Sequence, residues 1–82
     1  MHSIKILFFA TLRDKAGVRS MEMKIPSKTT IQELKKRIAK DFPGLSQSME
    51  TAVIAINREF AFDDSIIPDS AEVALFPPVS GG

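Results

Sequence analysis

The residues best placed to do chemistry stand at the end of the sequence, where Pro77-Pro78-Val79-Ser80-Gly81-Gly82 follows a strand-like run that closes on Phe76. Gly81 and Gly82 have no Cβ, so a narrow channel can close on their backbone and still admit reagents to the terminal carbon. Pro77 and Pro78 offer no N–H to a sheet; they end any ladder and hold the following chain extended. Six residues at about 3.3–3.6 Å each let the terminal carboxylate reach roughly 20 Å from the body, enough to enter a partner's pocket. Residues 77–82 are therefore expected to form a flexible, projecting tail. Diglycine alone is a weak signal, since terminal glycines also mark frayed ends.

The rest of the composition narrows what such a tail can do. With 82 residues the chain is expected to fold as one domain over 1–82, burying roughly 60–65% of its unfolded surface, with no room for a separate catalytic domain. A deep active site would come from a partner. Cysteine is absent, which excludes disulfides, thiolate metal sites and cysteine nucleophiles and suits a reducing cytoplasm. The one histidine, His2, sits beside the initiator methionine, so no His-dependent triad is available, and no metal site is read. No apolar run approaches the roughly 20 residues of a membrane span, and the start lacks the build of a signal peptide. All 11 basic side chains fall in residues 1–58, against five acidic ones, while 59–82 hold five acids and no Lys or Arg. Tyr and Trp are absent. This argues against a nucleic-acid binder and for a basic partner surface facing the acidic end.

The elements that must position the tail follow from periodicity. Residues 3–10 set Ile4, Ile6 and Phe8 against Lys5, Leu7 and Phe9, a strand apolar on both faces. Residues 11–18 read as a polar connection with at most one helical turn, ended by Gly17 in a left-handed conformation. Residues 19–25 alternate Met21, Met23 and Ile25 with polar residues, a half-buried strand that should pair with the first like a hairpin. Thr30-Ile31-Gln32-Glu33 fits a capping box, and Ile31, Leu34, Ile38 and Phe42 recur at helical spacing until Pro43-Gly44. On that helix Glu33 and Arg37 stand at i, i+4 and predict an ion pair, and Lys35, Lys36, Arg37 and Lys40 read as a solvated face. Residues 45–51 read as loop. Residues 52–56 are an apolar central strand followed by a turn in which Asn57 tolerates positive φ; Phe60 and Phe62 continue extended, and Pro68-Asp69-Ser70 turns into the strand 72–76.

This order predicts an α+β roll of the β-grasp type: a mixed sheet of four to five strands with one main helix across one face, the first and last strands side by side in the centre. Ile4, Ile6, Phe8, Val73 and Leu75 then face the helix. Leu7, Phe9, Phe76 and with them Phe60 are left on the far side, more apolar surface than a small soluble domain usually exposes, and so a docking surface.

Three stretches together resemble the MoaD family, the small sulfur-carrier subunit of molybdopterin synthase: Leu7-Phe8-Phe9-Ala10 with Leu12-Arg13-Asp14 and Gly17; Val53 to Asn57; and Glu72 to Gly82 with its Pro-Pro-Val-Ser-Gly-Gly close. The resemblance spans the chain and implies a ubiquitin-like β-grasp fold. It further implies that the Gly82 carboxylate, ionised at neutral pH with a pKa near about 3.5, is made electrophilic by adenylation at the expense of ATP in a MoeB-like activating enzyme. Conversion to a thiocarboxylate follows, and that terminus donates sulfur in the active site of a MoaE-like large subunit, within a heterotetrameric synthase, to form the molybdopterin dithiolene. No cofactor is held by the carrier itself. Carried over onto this sequence, Gly81 and Gly82 are the reacting end, Phe9, Phe60 and Phe76 with Pro77, Pro78, Val79 and Ser80 are partner-binding, and Arg13 meets the activating enzyme. Two departures from the family pattern stand out: Asp14 replaces a common Glu, and Asp69-Ser70-Ala71 replaces an Asp-Gly-Asp turn, which bears on turn geometry and not on the tail. A thiamine-type sulfur carrier, a ubiquitin-like protein modifier and a plain interaction domain are the competing readings.

Overall fold

The computed structural model describes residues 1–78; Val79, Ser80, Gly81 and Gly82, and with them the expected projection of the tail, lie outside the described residues. Five strands form one mixed sheet: β1 (His2–Phe8), β2 (Ser20–Ile25), β3 (Val53–Ile56), β4 (Glu59–Ala61) and β5 (Glu72–Phe76), in the order β2-β1-β5-β3-β4. β1 and β5 run parallel, so the first and last strands do lie side by side; the other pairings are antiparallel. The middle place belongs to β5, and the apolar β3 is interior beside it.

Helix α2 (Ile31–Asp41) crosses one face, and its start shows why it begins there. The first N–H groups of a helix have no partner within it. Here Ile31 N donates to Ser65 O (3.0 Å) and Gln32 N to Asp63 O (2.9 Å), while Thr30 and Glu33 close the expected capping box. Glu33 is thereby occupied at Thr30 and does not pair with Arg37. Arg37 instead donates to Lys24 O at 2.7 Å and lies 3.8 Å from Asp41, which corrects the expected i, i+4 pair. Half of the supposedly solvated basic face is likewise engaged, since Lys35 bonds Asp63 at 2.8 Å. Ile31, Leu34 and Ile38 are buried against Ile4, Ile6, Phe8, Ile54, Val73 and Leu75 in one core.

Two further short helices were not anticipated as such. Residues Ala10–Ala16 form α1, with Leu12 buried and Gly17 left-handed at φ 79° as its cap, so the first two strands pair antiparallel across a helix and not a turn. Residues 43–51, expected as loop from Leu45 on, make a 3-10 turn (Pro43–Leu45) and α3 (Ser46–Thr51). Leu45 and Met49 stand four apart on one side and are both buried, while the polar residues between them face water; two apolar positions were too few to reveal the period. The turn before β5 survives the loss of its glycine because Ser70 itself takes φ 60°. An L-residue pays roughly 1–2 kcal/mol for that conformation. Asp69 offsets it by accepting from Ser3 N (2.8 Å) and Ser70 N (3.0 Å), with Ser70 N also donating to Ser3 O.

Candidate tail-root docking face

Alternation sends every second residue of the central strands away from α2, and the pairing register fixes which of these stand in line. Leu7 is opposite Ala74, Ala74 opposite Ala55, and Ala55 opposite Phe60, giving one row across four strands. Ala55 and Ala74 are small and form a floor; Leu7, Phe9, Phe60 and Phe76 stand around it, with Arg58 and Glu72 at one end of the groove. Phe60 is 77% exposed and Phe9 40%, while Phe76 and Leu7 are half-buried. The three phenylalanines placed on the far side from sequence thus surround a single depression, uncovered by any other described element.

The tail leaves from the rim of this groove. Phe76, the last residue of β5, stacks on Phe9 with ring centroids 4.7 Å apart and planes 12° from parallel. Phe9 is itself tied down: its N–H donates to Leu75 O (3.1 Å), and its carbonyl accepts from Leu12 N and Arg13 N at the start of α1. Ala10 takes φ 53°, a left-handed turn that bends the chain out of β1 into α1 and keeps Phe9 at the sheet's end. Pro77 is half-buried and Pro78 is exposed, and both follow directly on Phe76, so the chain departs beside the stacked pair. Val53 lies directly across from Phe76 on β3, beside the groove; sequence reasoning passed over it because only the register reveals it.

Arg13 is not part of this groove. It is exposed on α1 and lines a separate depression with Asp14, Gly17, Val18 and Arg19. A partner using both would have to reach around the β1–α1 corner. The Asp69 carboxyl is held below its ordinary value, first by the hydrogen bond from Ser3 N. Its carboxylate serves the turn before β5 and does not line the groove.

Comparison with known proteins decides the family. The model of the ThiS family matches residues 6–82, nearly the whole chain and through its last glycine. This chain belongs to the ThiS family. Within it, the chain groups with MoaD-type members: it is 37% identical over 79 residues to the molybdopterin synthase sulfur carrier subunit of Arabidopsis thaliana, covering 96% of this chain and 82% of the relative. The Chlamydomonas reinhardtii protein of the same name is 36% identical over 81 residues, covering 96% and 98%. Among solved structures, the Haloferax volcanii protein SAMP1 superposes with a TM-score of 0.83 at 27% identity over 98% of this chain and 99% of its own. A protein–protein complex of subunits 1 and 2 of the Helicobacter pylori molybdopterin-converting factor contains a chain of the same fold, with a TM-score of 0.68 and 22% identity over 98% and 99%. The β-grasp architecture expected from the strand order is thereby matched across the ThiS family's neighbours. Among the described residues no helix is long and apolar enough to cross a membrane.

Proposed function

We propose that this ThiS-family chain is the sulfur-carrier subunit of a molybdopterin synthase, one β-grasp domain with a functional tail, working in the cytoplasm. The carrying observation is the likeness, over 96% of this chain, to sulfur carrier subunits of that synthase, at 37% and 36% identity. In this role the Gly82 carboxylate attacks ATP in an activating enzyme and displaces pyrophosphate, which gives an acyl adenylate. A sulfur donor then displaces AMP from the terminal carbon and leaves a thiocarboxylate, a soft nucleophile. The large subunit receives that terminus and supplies the catalytic groups: the thiocarboxylate sulfur displaces an oxygen leaving group on a pterin precursor, water cleaves the acyl–sulfur bond and returns the Gly82 carboxylate, and two such transfers build the dithiolene. Gly81 and Gly82 are the reacting end, Pro77 to Ser80 the spacer, and Phe9, Phe60 and Phe76 the anchors that seat the body on the large subunit. Arg13, on its separate surface, is assigned to the activating enzyme.

The groove at the root of the tail supports this division of labour. An apolar face of aromatic residues beside the exit point lets body contacts supply affinity while the tail is threaded, and aromatic anchors are the usual centre of such interfaces. The test is the intact mass of the protein after incubation with ATP, a cognate activating enzyme and a sulfur donor. The expected result is a gain equal to one oxygen replaced by sulfur, localised to Gly82; an unchanged mass with a competent enzyme overturns the reading.

One observation favours a second reading, a protein modifier whose terminus ends in an isopeptide on target lysines: the close fit to SAMP1, the small archaeal modifier protein 1 of Haloferax volcanii. Recovery of this chain joined to lysines in lysates, without any thiocarboxylate form, would select it. A thiamine-type carrier would yield the same mass gain and is separated by failure to support dithiolene synthesis with a large subunit.

A further inference from the structure

The register extends the docking face further than the three anchors. Phe9, Phe76 and Val53 form a second row, nearer the tail than the row of Leu7, Ala74, Ala55 and Phe60, since Phe9, the residue after β1, stacks on Phe76 and Val53 pairs with Phe76. Carrying the antiparallel count of β3 and β4 one step beyond Ala61 opposite Ile54 brings Phe62 opposite Val53. Phe62 is the outermost member of this row, and it lines a groove at the β3–β4 edge with Val53 and Phe60, the residue it shares with the first groove. Three inter-strand spacings of about 4.8 Å put Phe62 roughly 14 Å from Phe9 across the sheet.

Single exposed apolar residues are ordinary on protein surfaces. Phe62 differs in how it is held. Its ring is 74% exposed, yet its N–H donates to Ser65 Oγ at 3.0 Å and its carbonyl accepts from Ser65 N at 2.9 Å. The next residue, Asp63, is fixed to α2 through Gln32 N and Lys35. A large side chain presented on a backbone already ordered meets a partner without the cost of ordering a loop. The charged residues on either side of it in sequence after Arg58, namely Glu59, Asp63 and Asp64, are acidic; Arg58 lies in the adjoining groove, and Lys35, the one basic group lining this groove, is turned onto Asp63.

We propose that Phe62 is an additional anchor for the large subunit, which covers the sheet from Phe9 to the β4 edge and receives Phe62 in an apolar pocket rimmed by basic side chains. The assignment of the occupant rests on the function proposed above. It is supported by continuity: Val53 lies between Phe62 and Phe76, the residue from which the tail departs, so a partner that grips the tail and seats Phe76 stands beside Phe62 as well.

Titration calorimetry of the full chain against the cognate large subunit tests this, with melting temperature recorded for every variant. Phe62→Ala is expected to bind about tenfold more weakly with an unchanged melting temperature, and Phe62→Leu to stay within about threefold of wild type, as for an interface hot spot. Raising the salt concentration should weaken wild-type binding, through the acidic surround. Unchanged affinity for Phe62→Ala, with Phe76→Ala still weakened, overturns the extension and leaves the sulfur-carrier reading standing. Absence of binding by the wild-type chain overturns both. If sedimentation shows that Phe62→Ala abolishes self-association while affinity for the large subunit is kept, a second copy occupies the groove and the proposal is wrong.

Discussion

The two faces of the sheet are built from the same strands, by the same alternation, from nearly the same residue types, yet they have opposite fates. Toward α2 stand Ile4, Ile6, Phe8, Ile54, Val73 and Leu75, all buried. Away from it stand Leu7, Phe9, Val53, Phe60 and Phe76, half-buried or exposed around a floor of Ala55 and Ala74. Hydrophobicity therefore does not separate core from docking surface in a domain of this size; what lies across the face does. The covered side contributes its roughly 25 cal/mol per Å² of apolar surface to folding. The open side withholds the same kind of contribution until association, and its small central alanines leave the depression into which a partner's side chains fit.

If that contrast is right, equivalent truncations on the two faces act on different quantities. The largest expected effect is Ile6→Ala on the covered face: a loss of about 2–5 kcal/mol of stability in urea denaturation, from lost transfer energy plus the cavity left under α2. Phe76→Ala on the open face should lower stability little, since Phe76 lies outside the buried core and stacks on the exposed Phe9, and should weaken large-subunit binding by about 1–3 kcal/mol. Matched losses of stability and binding for Phe76→Ala would make Phe76 a core residue and erase the distinction.

How far the sequence alone exposes this contrast differs by element. The strand alternation and the capping box were legible because each is a local pattern with a fixed period, and they suffice to put Ile6 in and Phe76 out. The Phe9, Phe60 and Phe76 cluster was legible once the strands were ordered and their alternation assigned to the two faces of the sheet. Helix α3 and the 3-10 turn before it were hidden because their buried residues are Leu45 and Met49 alone. The Glu33–Arg37 pair failed because the cap and Lys24 O compete for those side chains, a tertiary choice invisible in spacing. Val53 and Phe62 were missed for a related reason: strand pairing joins residues by register, and register is settled by turns distant in sequence. The turn at Asp69 is the clearest case, because family resemblance put its geometry in question and the structure resolves it through Ser70.

That turn also offers the smallest test, one directed at what keeps the two faces apart. Ser3 N and Ser70 N both donate to Asp69, and Lys5 N donates to Ala71 O, so the start of β5 is locked against the start of β1. A slip of one residue would trade Val73 and Leu75 for Ala74 and Phe76 on the core face. The Asp69 carboxyl is held below its ordinary value of 3.8, first by the Ser3 hydrogen bond, against a lesser opposing effect of desolvation, with Ser70, His2 and the N-terminus adding to the lowering. Because the folded value lies below the unfolded one, the ionised group stabilises the fold at pH values above about 4, and that contribution fades as pH falls through the folded value. Asp69→Asn keeps an acceptor oxygen and loses the charge. Its melting temperature should therefore fall slightly below wild type at neutral pH, and the gap should close in acid. A gap of equal size at both ends of the titration would show that the side chain's shape, and not its charge, holds β5 in register.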